Sequence, residues 1–459
     1  MLLLITGASL KASDFQKNDS LSHYMNEAAL YNPSILQKLE EYQAELQKVQ
    51  QAGSLSDPEL SAGVFLSPME LMAGNQVADI QLMQMFPWFG VLRNAKNEMS
   101  FMAKASYESF REVRSQVLFD LQKTWYDLLR IKQEIGISEK NADILRTIEK
   151  LMIVKFRAGG TGISYTEPAG SGMTQNSVSA SSQSGMQGMG GSTANIAASV
   201  PMKSSNSMSS GSVGIGLAGL YLVQIDIGNL ENEIVLLKSR FKTTLTRFNG
   251  YLNRSVSSQV TIPEDINPVS IDIQVEEFAE SNPMLAMLEF DQKALKAREK
   301  MVKQMSYPMV GLGLDYSIIN KSDMSTSPMN GKDMLMPMLK VTLPVYRKKY
   351  KAMRTEAVHL KNASGQAYTS ALNNLRTEYF EARQLLDDAK RRLSLYESQS
   401  GLAKKSLDIM IKSFSSNLAG LSDILQLRQQ LLDYETKRTE AFYDYNISIA
   451  WLNKINSKY

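Results

Sequence analysis

The chain has 459 residues, of which 21% are charged and 43% hydrophobic, and a formal net charge of +3. That balance excludes a disordered chain, and no basic run is long enough to imply nucleic-acid binding. Cysteine is absent and histidine occurs only at His23 and His359, which removes disulfides, zinc-thiolate sites, a thiol nucleophile and most hydrolase constellations together.

In chain order, residues 1–12 combine a short apolar core with small residues and no basic leader. They read as the back half of a secretory signal or as a frayed apolar terminus. A first repeat is expected over residues 13–254. After a polar leader, Asn32-Pro33 opens a helix to about Gln51. Strands are predicted at about 60–67 and 76–86, followed by Pro87-Trp88-Phe89-Gly90. A long helix over about 88–156 carries a seam in three-four spacing: Val117, Leu121, Thr124, Leu128, Ile131, Ile135, Ser138, Ala142, Leu145 and Met152, with Glu149 the one charged interruption. Residues 160–213 form a Gly/Ser/Met-rich insert whose composition predicts disorder. A helix over about 217–253 closes the first repeat, and a proline-containing crossover occupies 255–281.

The order then starts again over residues 282–456. Asn282-Pro283 opens a helix to about Met305. Strands are predicted at about 309–319 and 335–343, and long helices at about 345–412 and 418–452. Between Tyr368 and Met410, apolar or small residues again recur in strict three-four alternation, the pattern of a helix packed on long partners. Such a helix from Val345 to Met410 spans on the order of 100 Å at 1.5 Å per residue. Both return helices open alike, with Gly216-Leu-Ala-Gly-Leu220 and Asn417-Leu-Ala-Gly-Leu421. A duplication of this length reads as two copies of one unit.

No apolar run reaches the roughly 18 residues of a transmembrane helix, but strands of about ten residues cross a bilayer when tilted. In the clearest strand, Val310, Leu312, Leu314, Tyr316 and Ile318 take one face, and Gly311, Gly313, Asp315 and Ser317 the other. Four strands cannot close a barrel, and an open edge cannot sit in lipid, so an obligate oligomer with a shared barrel is expected. The alternative is two soluble β-hairpins packed on a coiled coil.

From Asn32 to Leu452 the chain resembles the TolC family of outer-membrane efflux proteins. The most specific piece is Phe414-Ser-Ser-Asn-Leu-Ala-Gly-Leu-Ser-Asp-Ile-Leu425, which looks like the family's tip motif, with Asn417 where glycine is usual. Phe156-Arg-Ala-Gly159 looks like the same turn in the first repeat. Pro87-Trp88-Phe89-Gly90 resembles the family's strand-to-helix junction. The resemblance implies a mostly α-helical homotrimer in an outer membrane, with twelve strands in a lipid-embedded β-barrel and twelve coiled-coil helices in a periplasmic α-barrel. It also implies a passive duct, not an enzyme, that uses no cofactor. An inner-membrane pump, of RND or ABC type, and a periplasmic adaptor would be its partners. Asp423 falls on a gate aspartate position, and Gln426 falls where some members carry a second aspartate. Phe414 and Ala419 stand where better-studied members lock the gate with a Tyr and an Arg.

The insert holds Met173, Met186, Met189, Met202 and Met208. Thioethers are soft ligands that select Cu(I), and Ag(I) behaves alike, so the insert reads either as a metal-capture strand or as a linker. Efflux of heavy metal, Cu(I) or Ag(I), or of drugs through an RND-type pump is therefore expected, with the metals preferred because of methionine usage. An ABC-type export duct and a periplasmic coiled-coil scaffold or adaptor are the alternatives. Gly214-Ile-Gly-Leu-Ala-Gly219 matches a dinucleotide fingerprint literally, but no strand precedes it and no βαβ unit surrounds it. His359 reads as a solvated helix residue. Arg347-Lys348-Lys349 reads as junction charge, with interfacial anchoring as a lesser reading.

Overall fold

The computed structural model describes residues 21–71, 73–159, 217–263, 282–326, 328–416 and 418–457. The element order is α1 (Leu21–Tyr31), α2 (Pro33–Ala52), β1 (Glu59–Leu71), β2 (Gly74–Phe86), α3 (Val91–Gly159) and α4 (Leu217–Tyr251). It continues with α5 (Pro283–Gln304), β3 (Met309–Asn320), β4 (Met334–Thr342), α6 (Arg347–Ser415) and α7 (Leu421–Ile455). The chain is mostly helical, with one small antiparallel sheet. It divides into two compact units. One comprises residues up to Ser138 with Glu233–Gly401 and Leu432 onward; the other comprises Glu139–Asn232 with Leu402–Leu431.

In the larger unit, the two Asn-Pro pairs act identically. Asn32 caps α2 by accepting from the Ser34 and Ile35 amides at 3.0 and 3.4 Å, while its Nδ2 donates to the Tyr251 carbonyl at 2.8 Å. Asn282 caps α5 by accepting from the Met284 amide at 3.0 Å, and donates to the Ile455 carbonyl at 3.1 Å. One side chain thus satisfies a helix start and a carbonyl near the end of that half's return helix. Proline follows at the first helical position, where no amide is needed.

The polar leader contains a helix. In α1, Tyr24 and Ala28 are buried, and Tyr24 meets Trp125 at 5.4 Å and Phe248 at 5.3 Å between ring centroids. With Leu118, Leu121, Leu128, Leu129, Phe248 and Leu252 these residues form one apolar core. Tyr379, Ala382, Leu452 and Ile455 form a second cluster, in the other half. An Arg254–Glu27 ion pair fastens α1 to the end of α4. The burial that holds α1 comes from residues distant in sequence, which its own 11 residues do not announce.

The long helix α3 begins at Val91, after Trp88, because Gly90 sits at φ +88°, in the left-handed region that favours glycine. A Cβ there would fall 2.6 Å from the Gln304 amide, which is itself held by Asn94 at 2.6 Å.

The four strands form a sheet in the order β1-β2-β3-β4, antiparallel throughout. β1 turns into β2 at Gly74, φ +122°, where a Cβ would fall 2.4 Å from the Asn320 carbonyl oxygen. The β1–β2 register shifts between Val64 and Met69. Pro68, which has no amide to give the ladder, lies in that irregular stretch. β2 pairs with β3 from Asn75↔Asn320 to Phe86↔Val310, so the sheet's centre joins the two halves of the chain.

Candidate functional site

Cross-strand partners share a face, so the registers sort every strand residue to one side of the sheet. One side carries Leu60, Ala62 and Val64 of β1, and Ala78, Ile80, Leu82, Gln84 and Phe86 of β2. It continues with Val310, Leu312, Leu314, Tyr316 and Ile318 of β3, and Leu335, Pro337, Leu339 and Val341 of β4. Gln84 alone breaks the apolar series. Leu60, Val64, Ile80, Leu82, Leu312, Leu314, Leu335 and Leu339 are all exposed. The opposite side carries Ser61, Gly63, Asp79, Gln81, Gly311, Gly313, Asp315, Ser317 and Lys340, interleaved with Met83, Met85, Met336 and Met338. The alternation read in one strand therefore extends across four. Among the described residues, β1 and β4 lie at the sheet's edges, each hydrogen-bonded to a strand on one side only. Among the described residues, no helix is long and apolar enough to cross a membrane.

The smaller unit holds the sequence-predicted tip residues. Asp423 and Gln426 are both exposed, one turn apart on α7. Asp423 lies in the first turn of α7, where a carboxylate suits the helix dipole, and its Oδ2 is 3.2 Å from the position a Gly420 Cβ would take. Phe156, near the end of α3, is half exposed. Phe414 is only 2% exposed and packs inward. Lys155 Nζ donates to the Phe414 carbonyl and stands 4.0 Å over the centre of its ring, tying α3 to α6. Past α6, the Leu418 amide donates to the Ser413 carbonyl at 2.9 Å. Gly159 is the last residue of α3. Asn417 lies outside the described residues, as does the insert with Met173, Met186, Met189, Met202 and Met208.

Sequence reasoning missed Arg428. It is 3% exposed, and its Nη2 donates to Asp226 Oδ2 at 3.0 Å and to Gln429 Oε1 at 3.3 Å. Its Nε and Nη1 find no hydrogen-bond partner among the described residues. Burial draws the guanidinium below its usual range, and the Asp226 charge opposes that shift. The signal was present: Ile424, Arg428 and Leu431 are buried at i, i+4 and i+7, so an arginine occupies an apolar seam position. Gly219 also has a packing role here. A Cβ on it would fall 2.9 Å from Leu421 Cδ2 and 3.1 Å from Met152 Cε, so glycine lets α4 approach both α3 and α7. Lys155–Phe414, Arg428–Asp226 and the Gly219 contact with Leu421 are all ties between the two helical hairpins. No cluster of three or more His, Cys, Asp or Glu that could hold a metal occurs among the described residues.

Solved structures share this architecture along nearly the whole chain. A structure of CusC, described in terms of folding and transmembrane channel formation, superposes with a TM-score of 0.72 at 11% identity, over 97% of this chain and 95% of that one. The chain has the fold of an outer-membrane channel. The outer membrane protein VceC of Vibrio cholerae gives a TM-score of 0.70 at 13% identity, over 95% and 96% of the two chains. The CmeC outer membrane channel of Campylobacter jejuni gives 0.71 at 12%, over 100% and 94%. No protein-family model and no curated protein sequence matches the chain. An outer-membrane channel fold kept at so low an identity depends on pattern more than on particular residues.

Proposed function

We propose that this chain is one subunit of an outer-membrane efflux channel, a homotrimeric duct that takes cargo from a periplasmic adaptor and an inner-membrane pump. The observation that carries the reading is the exposed apolar face running across all four strands, bounded by two unpaired edges. Such a face suits lipid, and lipid tolerates no open edge, so β1 of one copy pairs with β4 of the next until the barrel closes. The interior receives the polar and methionine face. The chain does no covalent chemistry; energy comes from the pump.

The smaller unit is the periplasmic entrance. Asp423 and Gln426 line it, Phe156 and Gly159 stand beside it at the end of α3 rather than in the turn the sequence suggested, Asn417 is assigned to it on the sequence motif alone, and Phe414 acts through its backbone carbonyl. Lys155 on Phe414 and Arg428 on Asp226 hold the hairpins together in place of the Tyr and Arg used by better-studied relatives. Methionine usage favours Cu(I)/Ag(I) cargo through an RND-type pump, with Met173, Met186, Met189, Met202 and Met208 as the capture ligands.

Fractionation tests the duct. The protein should appear in the outer membrane as a heat-resistant trimer, and a soluble periplasmic monomer would overturn the reading. Silver accumulation in cells lacking the gene tests the cargo. Silver should rise, and should stay high when a chain lacking residues 160–213 restores dye export. Silver that never rises rejects metal cargo and leaves the duct standing.

A further inference from the structure

Below the sheet, where β3 and β4 meet α5 and α6, lies a cavity of about 650 Å³. Four cations line it: Lys303 near the end of α5, and Arg347, Lys351 and Arg354 on the first two turns of α6. No carboxylate lines it. The acids nearest in sequence are already engaged, Glu299 by Lys361 at 2.7 Å and Glu356 by Arg298 at 3.5 Å. Among the described residues, none of the four cations forms an ion pair within 4 Å, although the Glu299 carboxylate feels the charge of Arg354. The first turn of α6 has basic residues and no acid, the reverse of what the helix dipole favours. An anion in the cavity would offset both the mutual repulsion and the dipole.

The second observation is an adjoining cavity of about 420 Å³ lined by Phe86, Trp88, Phe89, Val310 and other apolar residues. Pro308 lines both cavities. Trp88 of the apolar cavity stacks on Tyr307 of the cationic one at 5.4 Å and 21° between planes. Phe86, Val310 and Leu312 belong to the apolar face of the sheet, so the second cavity opens onto the surface read above as lipid-facing. A free phosphate would fill only the first cavity. A molecule with an anionic head and an apolar body fills both.

We propose that these paired cavities bind one anionic phospholipid of the leaflet nearest the helices, its phosphate among Lys303, Arg347, Lys351 and Arg354 and its glycerol and upper acyl chains against Trp88 and Phe89. The assignment rests on the reading of the sheet face as membrane-embedded. It gives the basic start of α6 a ligand and fixes the depth at which the sheet sits.

The test is native mass spectrometry of the delipidated full-length protein in detergent, mixed with equal amounts of phosphatidylglycerol and phosphatidylcholine. Phosphatidylglycerol adducts should exceed phosphatidylcholine adducts by about tenfold, in keeping with several basic side chains facing one anionic group. The triple variant R347Q/K351Q/R354Q should lose that preference, while K348Q/K349Q, which removes charge beside the cavity but not within it, should keep it. If the triple variant does not assemble, K303Q/K351Q serves in its place. Equal binding of the two lipids, equal loss in K348Q/K349Q, or displacement by millimolar inorganic phosphate would each overturn the proposal. Outer-membrane fractionation separates the two levels. A chain that fractionates there without the lipid preference refutes only this site, and a soluble chain refutes the reading beneath it.

Discussion

Arg428 is the side chain whose partners matter most in the smaller unit. Among the described residues its one carboxylate is Asp226, and a buried charge stripped of its partner is far costlier than a buried pair replaced by apolar groups. D226N should therefore destabilise the protein by about 2–3 kcal/mol in urea unfolding, at the low end because Asp226 is partly exposed. The double variant D226L/R428L should recover most of the loss. If D226N opens the entrance, single-channel conductance of the reconstituted protein should rise as well. Glu112 in the larger unit behaves differently. Burial holds its carboxyl above the usual range, the Lys454 charge opposes that, and Glu378 adds to it. A raised folded-state value means that the stabilising contribution is complete below the unfolded value and is lost as pH rises through the folded one. At neutral pH the burial of this carboxyl group is thus a net cost. E112Q should raise the unfolding temperature at pH 7, and the gain should vanish below about pH 3, well under the value of a free carboxyl group, where the wild-type group is protonated in both states.

At the scale of elements, the Asn-Pro pairs explain why each half is a unit. Removing a cap and a buried donor together should make N282A cost about 1–2 kcal/mol in chemical unfolding. N282D keeps the cap acceptor but loses the donor to the Ile455 carbonyl, and should fall between. A wild-type midpoint in N282A would show that the cap carries no stability. The mostly helical class with a small antiparallel sheet was legible in the sequence because the period changes visibly, from two in Val310–Ile318 to three-four in Tyr368–Met410. Both caps were visible as Asn-Pro, though not their second bonds to Tyr251 and Ile455. α1 was not legible: Tyr24 and Ala28 look unremarkable until Trp125 and Phe248 are brought to them from far along the chain. Lys155 was hidden for a related reason, since it is defined by a partner on another helix, whereas Arg428 stood in an apolar seam and only its partner Asp226 was hidden. The neighbourhood of Asp423 and Gln426 was marked only by a resemblance, and the helix faces they occupy required the backbone.

At the scale of the whole molecule, the apolar sheet face makes the strongest demand. L314R places a charge at its middle and should cost about 2–4 kcal/mol at mid-membrane depth, appearing as loss of heat-resistant oligomer from the outer-membrane fraction. D315N, on the opposite face, should assemble normally. Equal yields from both would mean that the face does not meet lipid. The pairing of β2 with β3 bears on how the chain is made. β1–β2 and β3–β4 are local hairpins that close within their own short stretches, but Asn75 must find Asn320 across most of the polypeptide. Contacts that far apart in sequence form late, because the intervening loop entropy is lost before they repay it. Until then each newly made chain exposes two apolar hairpins with open edges to water, the condition under which β-proteins aggregate. The yield of folded protein is then set by a race between such long-range closures and collision with another unfinished chain.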